Sequence, residues 1–540
     1  MIKECFGSLI CSLLFTITLC AQNATESATT ILVAPNDPVP FAETITQEDM
    51  RTILTVLASD DFEGRETGTD GNRKAAQFIA NKLADYGIET VDKVGGYFQK
   101  MAFTAETWNN IDLKVGDKSY KHLWEFYSFP SLNKAQEIQI NEVIFLGYGI
   151  EDEAYNDYSG KDVKGKTIMI FDGEPTKNGK SWLTNATDLS DWSTDRRKKL
   201  RTAFKKGVAN ILIIDKNLKS NLGKLRSQLL DGRMKMGEGE NPSNNYANSL
   251  YISSDIAAAI IGKKSKKFIK NRKKINKKGK PRSLTLTTNI QLTQDKNIKQ
   301  LIGDNILGFI EGTDSVLKDE IVVISAHYDH LGKRGTAIYN GADDNGSGST
   351  TVLEIAQAFA NAKKKGIGPR RSVLTLWVTG EEKGLLGSAF YSENPIFPLE
   401  NTIANVNVDM VGRVQSKYEE NPNYIYVIGA DRLSTELHEI NEATNKKYSN
   451  LLLDYTYNDE NDPNRFYYRS DHYNFAKKGV PAIFYFSGTH EDYHRTTDTV
   501  EKINFQKMEN IGRQIFYTAW ELANRDKRIV VDGNNRLVPK

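Results

Sequence analysis

From about residue 293 onward the chain repeats one pattern. Short apolar, β-branched runs recur at Ile321–Ala326, Ser372–Thr379, Thr402–Val408, Ile425–Ile428 and Pro481–Phe486. Amphipathic stretches separate them at Ser349–Ala362, Ser434–Thr444 and Asp471–Lys478, and Phe505–Ala523 reads as a long final helix. A strand that is apolar along its whole length must be covered on both faces. The alternation therefore predicts an α/β fold, with a central mixed, mostly parallel sheet between helices. In such folds, sites form just beyond the carboxyl ends of strands.

Those ends carry chemistry. His327-Tyr328-Asp329-His330 follows the first run, and Gly341-Ala342-Asp343-Asp344-Asn345-Gly346-Ser347-Gly348 comes soon after. Glu381-Glu382 follows the second run, Asp409 ends the third, and His490-Glu491-Asp492-Tyr493-His494 follows the last. Six of the seven histidines lie between 327 and 494, which concentrates potential ligands in this half. Clustered carboxylates repel one another unless cations neutralise them. A mixed Asp/Glu/His set without cysteine suits zinc, or cobalt and manganese, and two metals sharing one carboxylate would use it fully. Ser347 has no base spaced for it and reads as a small residue opening a helix rather than a nucleophile.

The order H-x-D, G-A-D-D-N-G-S-G, E-E, D-M and Y-H-x-x-x-D resembles that of the co-catalytic zinc exopeptidases, which include leucyl-type aminopeptidases and glutamate carboxypeptidases. Gly64-Arg65-Glu66-Thr67-Gly68 is similar to the opening segment of that family. The resemblance implies two Zn2+ ions per chain, with Co2+ or Mn2+ as substitutes. It implies His327 and Asp409 on one metal, Glu382 and His494 on the other, and Asp343 bridging both. Asp329 would orient the His327 ring, Glu381 would be the general base, and Tyr493 would donate to the oxyanion or pack as an ordinary tyrosine. The family also implies a cis peptide after the bridging residue, here Asp343–Asp344. His330 and His490 would line or support the site, and His472 would give structural support. His122 and His438 stand outside the motifs and read as surface groups.

Residues 108–292 are β-rich, with runs such as Glu142–Leu146, Thr167–Phe171 and Ala209–Ile214, and a helix over Ser193–Lys206. Gly147-Tyr148-Gly149-Ile150, Asp162-Val163-Lys164-Gly165-Lys166 and Gly207-Val208-Ala209 make this segment resemble a protease-associated domain inserted into a peptidase. Lys263–Arg282 holds twelve Lys/Arg and reads as a solvated helix and loop rather than a polyanion site. The net charge of +2 and the lack of interleaved aromatics argue against nucleic acid as a partner.

All three cysteines, Cys5, Cys11 and Cys20, lie near the N-terminus. Lys3, the apolar run Phe6–Leu19 and polar sequence from Gln22 read as a signal peptide cleaved after Ala21. Lipid attachment at Cys20 is the alternative, with Leu19 an unusual neighbour for it. The run is too short to span a bilayer comfortably, so no transmembrane span is expected in the mature chain. The expected organisation is 1–21 signal peptide, 22–107 leader and N-terminal part of the peptidase, 108–292 insert, 293–527 main peptidase and 528–540 tail. Thr46–Ala58 and Asn72–Tyr86 read as helices of the N-terminal part.

The function these residues imply is an exported di-zinc exopeptidase acting on peptides, an aminopeptidase first. A carboxypeptidase of the same family needs a positive clamp, for which Arg413 and Arg469 stand near the motifs. A glutaminyl cyclase, as a single-zinc relative, and a metal-free binding protein akin to transferrin receptor are disfavoured by the complete ligand set.

Overall fold

The computed structural model describes residues 37–230, 232–237 and 245–533. The expected signal segment with Cys20, the leader to residue 36 and residues 534–540 lie outside the described residues. Among the described residues no helix is long and apolar enough to cross a membrane.

The C-terminal part is a mixed sheet between helices. Its strands run in the order Leu452–Asp454, Tyr424–Ile428, Ala482–Phe486, Thr402–Val408, Ile321–His327, Ser372–Val378 and Ser283–Ile310. Thr402–Val408, Ile321–His327 and Ser372–Val378 pair in parallel, as do Thr402–Val408 and Ala482–Phe486. Tyr424–Ile428 and the end of Ser283–Ile310 join antiparallel. The parallel strands are buried along their whole length, because helices cover both faces. On one face Gly348–Lys364 and Phe505–Asn524 pack together, with the Phe359 ring 4.9 Å from Phe516 and 5.7 Å from Trp520. Gln47–Leu57 joins them. Its cap residue Thr46 accepts from the Asp49 backbone N–H at 3.2 Å, satisfying a donor that a helix start leaves open.

One long strand connects the two halves. Residues 290–306 of Ser283–Ile310 pair with the length of Phe98–Val115, while the strand also pairs with Gln136–Leu146 at its start and with Ser372–Val378 at its end. From Gln136–Leu146 the same sheet continues through Thr167–Phe171, Asn210–Ile214, Asn248–Ile252 and Phe126–Tyr127. Side chains of these strands alternate between two apolar cores. Met169, Phe171, Leu212 and Ile214 face one, with Phe145 and Phe268, while Ile168, Ile170, Ile211 and Ile213 face the other, with Leu200 and Tyr251. Both are distinct from the core of the C-terminal part, around Val322, Ile324, Trp377 and Val406.

The basic stretch forms the helix Ser265–Lys278, which buries Phe268 and Ile275 and turns its lysines outward. His122 and His438 are half-buried, not surface groups, and pack on Phe126 and Tyr455 with ring separations of 5.3 and 5.1 Å.

Candidate metal centre

Register brings the expected residues together. His327 pairs with Val378, so Glu381 and Glu382 emerge beside it, and Ser325 pairs with Asn407, two residues before Asp409. Val408 pairs with Tyr485, and the chain then runs on to His490 and His494. The loop Gly341–Gly348 is laid across these ends and opens the helix Gly348–Lys364. Gly341 has φ +57°, and a Cβ there would meet the Asp344 carbonyl and the His330 ring.

Two donor sets result. His327, Asp344 and Asp409 form one, and His330, Asp344 and Glu382 the other, each with donor atoms within 4.8 Å of one another. His327 Nε2 stands 3.3 Å from Asp409 Oδ1 and 3.4 Å from Asp344 Oδ1. On the other side, Asp344 Oδ2 is 3.0 Å from His494 Nε2. Glu382 Oε1 is 2.9 Å from His330 Nδ1 and 3.3 Å from His494 Nε2. One carboxylate, Asp344, therefore serves both sets through its two oxygens.

This corrects the expectation for Asp343, whose carboxylate turns away. Its Oδ1 accepts from Gly412 N at 2.7 Å and Ser347 Oγ at 2.9 Å, and its Oδ2 lies 3.3 Å from His490 Nε2. The two adjacent aspartates point in opposite directions, so the local hydrogen bonds claim the first and leave the second for the centre. The cis peptide is likewise Asp344–Asn345 rather than Asp343–Asp344. Asp329 also differs in detail. The nearest partner of His327 Nδ1 is the Asp329 backbone carbonyl at 3.1 Å, whereas the carboxylate is 3.8 Å away. That carboxylate instead accepts from Thr67 Oγ1 at 2.8 Å and the Glu381 backbone N–H at 3.2 Å. It holds the strand end that carries the glutamate pair.

Glu381 Oε2 lies 3.9 Å from His327 Nε2. Tyr493 borders the same space, its ring stacked on His494 at 3.9 Å and its hydroxyl 3.4 Å from Arg469 Nη2. His472 is buried and stacks on Phe484 at 4.8 Å, and burial lowers its pKa to about 3.

Several supporting residues were not singled out from sequence. Asp498 accepts from the backbone N–H groups of Asp343 and Asp344 at 3.0–3.2 Å, fixing the turn beneath the shared carboxylate. Ser470 donates to Asp409 Oδ2 at 2.7 Å and accepts from Asn407 Nδ2 at 2.8 Å. Arg65 is buried and donates to the carbonyls of Leu57, Tyr328, Asn340 and Gly341 at 2.6–2.8 Å, tying the Gly64–Gly68 segment to both ligand-bearing loops. Two of them stand in segments the sequence did mark, Asp498 in Y-H-x-x-x-D and Arg65 in Gly64–Gly68, but neither was given a role there.

The electrostatics are those of a site with surplus negative charge. Burial raises Glu381 well above the usual carboxylate range, with Glu382, Asp471 and Asp409 adding to the effect against His327. Burial also acts on Glu382, but the close approach and charge of the His330 and His494 rings hold it well below that range. Burial opposes charge on His494, yet Asp344 and Glu382 push it up to about 10. The donor set fits zinc: imidazole nitrogens and carboxylate oxygens converge, and the buried ring nitrogens of His330 and the Glu382 Oε1 find no aligned hydrogen-bond partner. Cations would satisfy those atoms and remove the mutual repulsion.

Residues 305–519 match the profile of Peptidase family M28. Over 212 residues the chain is 32% identical to a probable leucine aminopeptidase of Trichophyton verrucosum, a match covering 38% of this chain and 55% of that protein. It is 26% identical over 231 residues to aminopeptidase YwaD of Bacillus subtilis, covering 42% of this chain and 46% of that one. The chain thus spans about half the length of the curated relatives it matches. The aminopeptidase from Aneurinibacillus sp. strain AM-1 shares the fold over 92% of this chain and 98% of its own, with a TM-score of 0.55 at 18% identity. Residues 305–519 of this chain are thus similar to peptidase family M28 and its aminopeptidases, and the fold is the one shared with the Aneurinibacillus enzyme.

Proposed function

We propose that the chain is a zinc-dependent aminopeptidase that removes N-terminal residues from peptides. The observation that carries the reading is the Asp344 carboxylate shared between two donor sets, with Glu381 beside it and outside both. His327, Asp344 and Asp409 would hold one Zn2+, and Asp344, Glu382 and His494 the other, with His330 as a further nitrogen donor; Co2+ or Mn2+ would substitute. When bound, zinc supplies Lewis-acid chemistry, acidifying a water and polarising the peptide carbonyl.

The remaining work falls to the chain. Glu381 accepts a proton from the attacking water as the new C–O bond forms, then delivers it to the leaving nitrogen as the C–N bond breaks. The Tyr493 hydroxyl donates to the developing oxyanion. Asp329 fixes the Glu381 backbone and Ser470 fixes Asp409, so both carboxylates are oriented before substrate arrives.

A carboxypeptidase is the second reading. Arg413 does not favour it, because its guanidinium is held by Asp492 at 3.0 Å and Glu491 at 3.2 Å. Arg469, exposed at the mouth of the small cavity beside Tyr493, keeps it in play. The inserted segment 108–292 is read as a protease-associated-like domain, and residues 1–21 as a signal peptide that exports the protein. The test uses one short peptide with a free or an acetylated N-terminus, incubated with zinc-loaded protein and analysed by mass. Loss of N-terminal residues from the free form alone supports an aminopeptidase. Equal C-terminal trimming of both forms would overturn it in favour of the carboxypeptidase.

A further inference from the structure

The space around the centre is asymmetric. Beside His327, Glu381 and Asp409 lies a narrow cavity of about 30 Å3 walled by Met410, Phe466, Phe484 and Phe486. Beside Glu382 and His494 opens a cavity of about 760 Å3 whose far wall belongs to the inserted segment, including Phe129, Asp195, Arg196 and Arg197. That volume lies in the range of sites that enclose a ligand, roughly 300–1,000 Å3. The narrow cavity has room for about one water, so of the two spaces only the wide one can take an extended stretch of peptide beside the centre.

The wide cavity is positively charged on its far side. Two of its basic groups, Arg334 and Lys383, are paired with Glu66, at 2.9 and 2.6 Å. Asp195 is occupied as well: it pairs with Arg201, and it accepts from the Arg197 backbone N–H at 2.8 Å. Arg196 and Arg197 begin the helix Arg196–Lys205 and are exposed to the cavity, and neither guanidinium has a carboxylate partner among the described residues. Arg196 lies 5.4 Å over both the Phe129 and Tyr251 rings, which limits its freedom and keeps its edge available. A guanidinium held over aromatic rings, as Arg196 is, matches a carboxylate in geometry as well as charge, and the neighbouring Arg197 adds positive charge to the same cavity wall.

We propose that Arg196 and Arg197 bind carboxylates on the leaving portion of the peptide. The favoured substrates then carry acidic residues, or a free C-terminus, a few residues beyond the cleaved bond. The proposal rests on the aminopeptidase reading for its direction and gives the inserted segment a part in substrate choice.

The test uses amidated pentapeptides with leucine first and alanine, glutamate or lysine at the third and fourth positions, plus the alanine peptide with a free C-terminus. At low salt the glutamate peptide should exceed the alanine peptide about tenfold in kcat/KM, and the lysine peptide should be the poorest. The advantage should shrink in about 0.5 M salt, where exposed charges are screened. In the double variant Arg196→Gln, Arg197→Ser the ratio of glutamate to alanine peptide should fall to near one. An advantage shared by the free-acid alanine peptide assigns the arginines to the C-terminal carboxylate, and one confined to the glutamate peptide assigns them to side chains. Equal rates for all peptides with the parent protein, or a preference that survives in the double variant, would overturn the proposal. Binding of fluorescently labelled peptides to the Glu381→Gln protein, followed by anisotropy, reports the same preference without turnover. If no peptide is trimmed, the aminopeptidase reading fails, and the binding ratio still decides the role of the arginines.

Discussion

Glu354 offers a quantitative check on the packing beneath the centre. It lies in the helix Gly348–Lys364, its side chain buried, with Oε2 at 3.5 Å from the Thr46 backbone N–H and Oε1 without a partner. Burial, reinforced by the charge of Asp49, raises its pKa from 4.5 to about 8. A carboxyl that binds its proton more tightly when folded contributes stability below its unfolded pKa, and that contribution is lost as pH rises through the interval up to the folded pKa. At pH 7 the interval already crossed is about 2.5 pH units, so the folded state is destabilised by about 3 kcal/mol. Glu354→Gln keeps the shape and removes the proton equilibrium. It should leave stability nearly unchanged at pH 4 and raise it by about 3 kcal/mol at pH 7, a shift of roughly 5 °C in Tm. Calorimetry of zinc-loaded parent and variant from pH 4 to 8 reads the difference directly. Glu521, which burial raises to about 7, titrates in both proteins and cancels. Parallel Tm curves for the two proteins would refute the reasoning.

Other expectations follow from the centre. Glu381→Gln should lower kcat by roughly 100-fold or more while zinc content stays at the parent value, as measured by turnover and metal analysis together. Ser470→Ala removes the donor to Asp409 and should weaken zinc binding by about 10- to 100-fold in a competition titration. Arg65→Met leaves four carbonyls without their donor and should lower stability by roughly 3 kcal/mol or more, seen as a drop in Tm with zinc present. A chelator should abolish peptide hydrolysis, and zinc should restore it.

The C-terminal α/β fold was legible because its strands are short, uninterrupted apolar runs. Thr402–Val408 matches its expected span, and Ile321–His327 and Ala482–Phe486 each differ from theirs by one residue. The connecting strands were not. The middle of Ser283–Ile310, around Gln294–Gln300, is polar and half-exposed, so neither alternation nor an apolar run marks it; only its pairing with Phe98–Val115 reveals it. In the centre, His327, Glu382, Asp409 and His494 come together as their strand-end positions imply, since parallel register brings those ends side by side. The register within Asp343-Asp344 was not legible. Two identical neighbours are told apart mainly by partners distant in sequence: Gly412 and His490 for the first, beside the nearby Ser347, and His327 and His494 for the second. Arg65 was hidden for a related reason. An arginine in a polar loop reads as solvated, and its burial depends on carbonyls from three separate parts of the chain.

The most direct test of the shared carboxylate is the zinc content of purified parent, Asp344→Asn and Asp343→Asn proteins, measured by elemental analysis after dialysis. The account predicts two zinc ions per chain in the parent, one or none in Asp344→Asn, and near-parent occupancy in Asp343→Asn. Two ions retained by Asp344→Asn, with loss in Asp343→Asn instead, would contradict it.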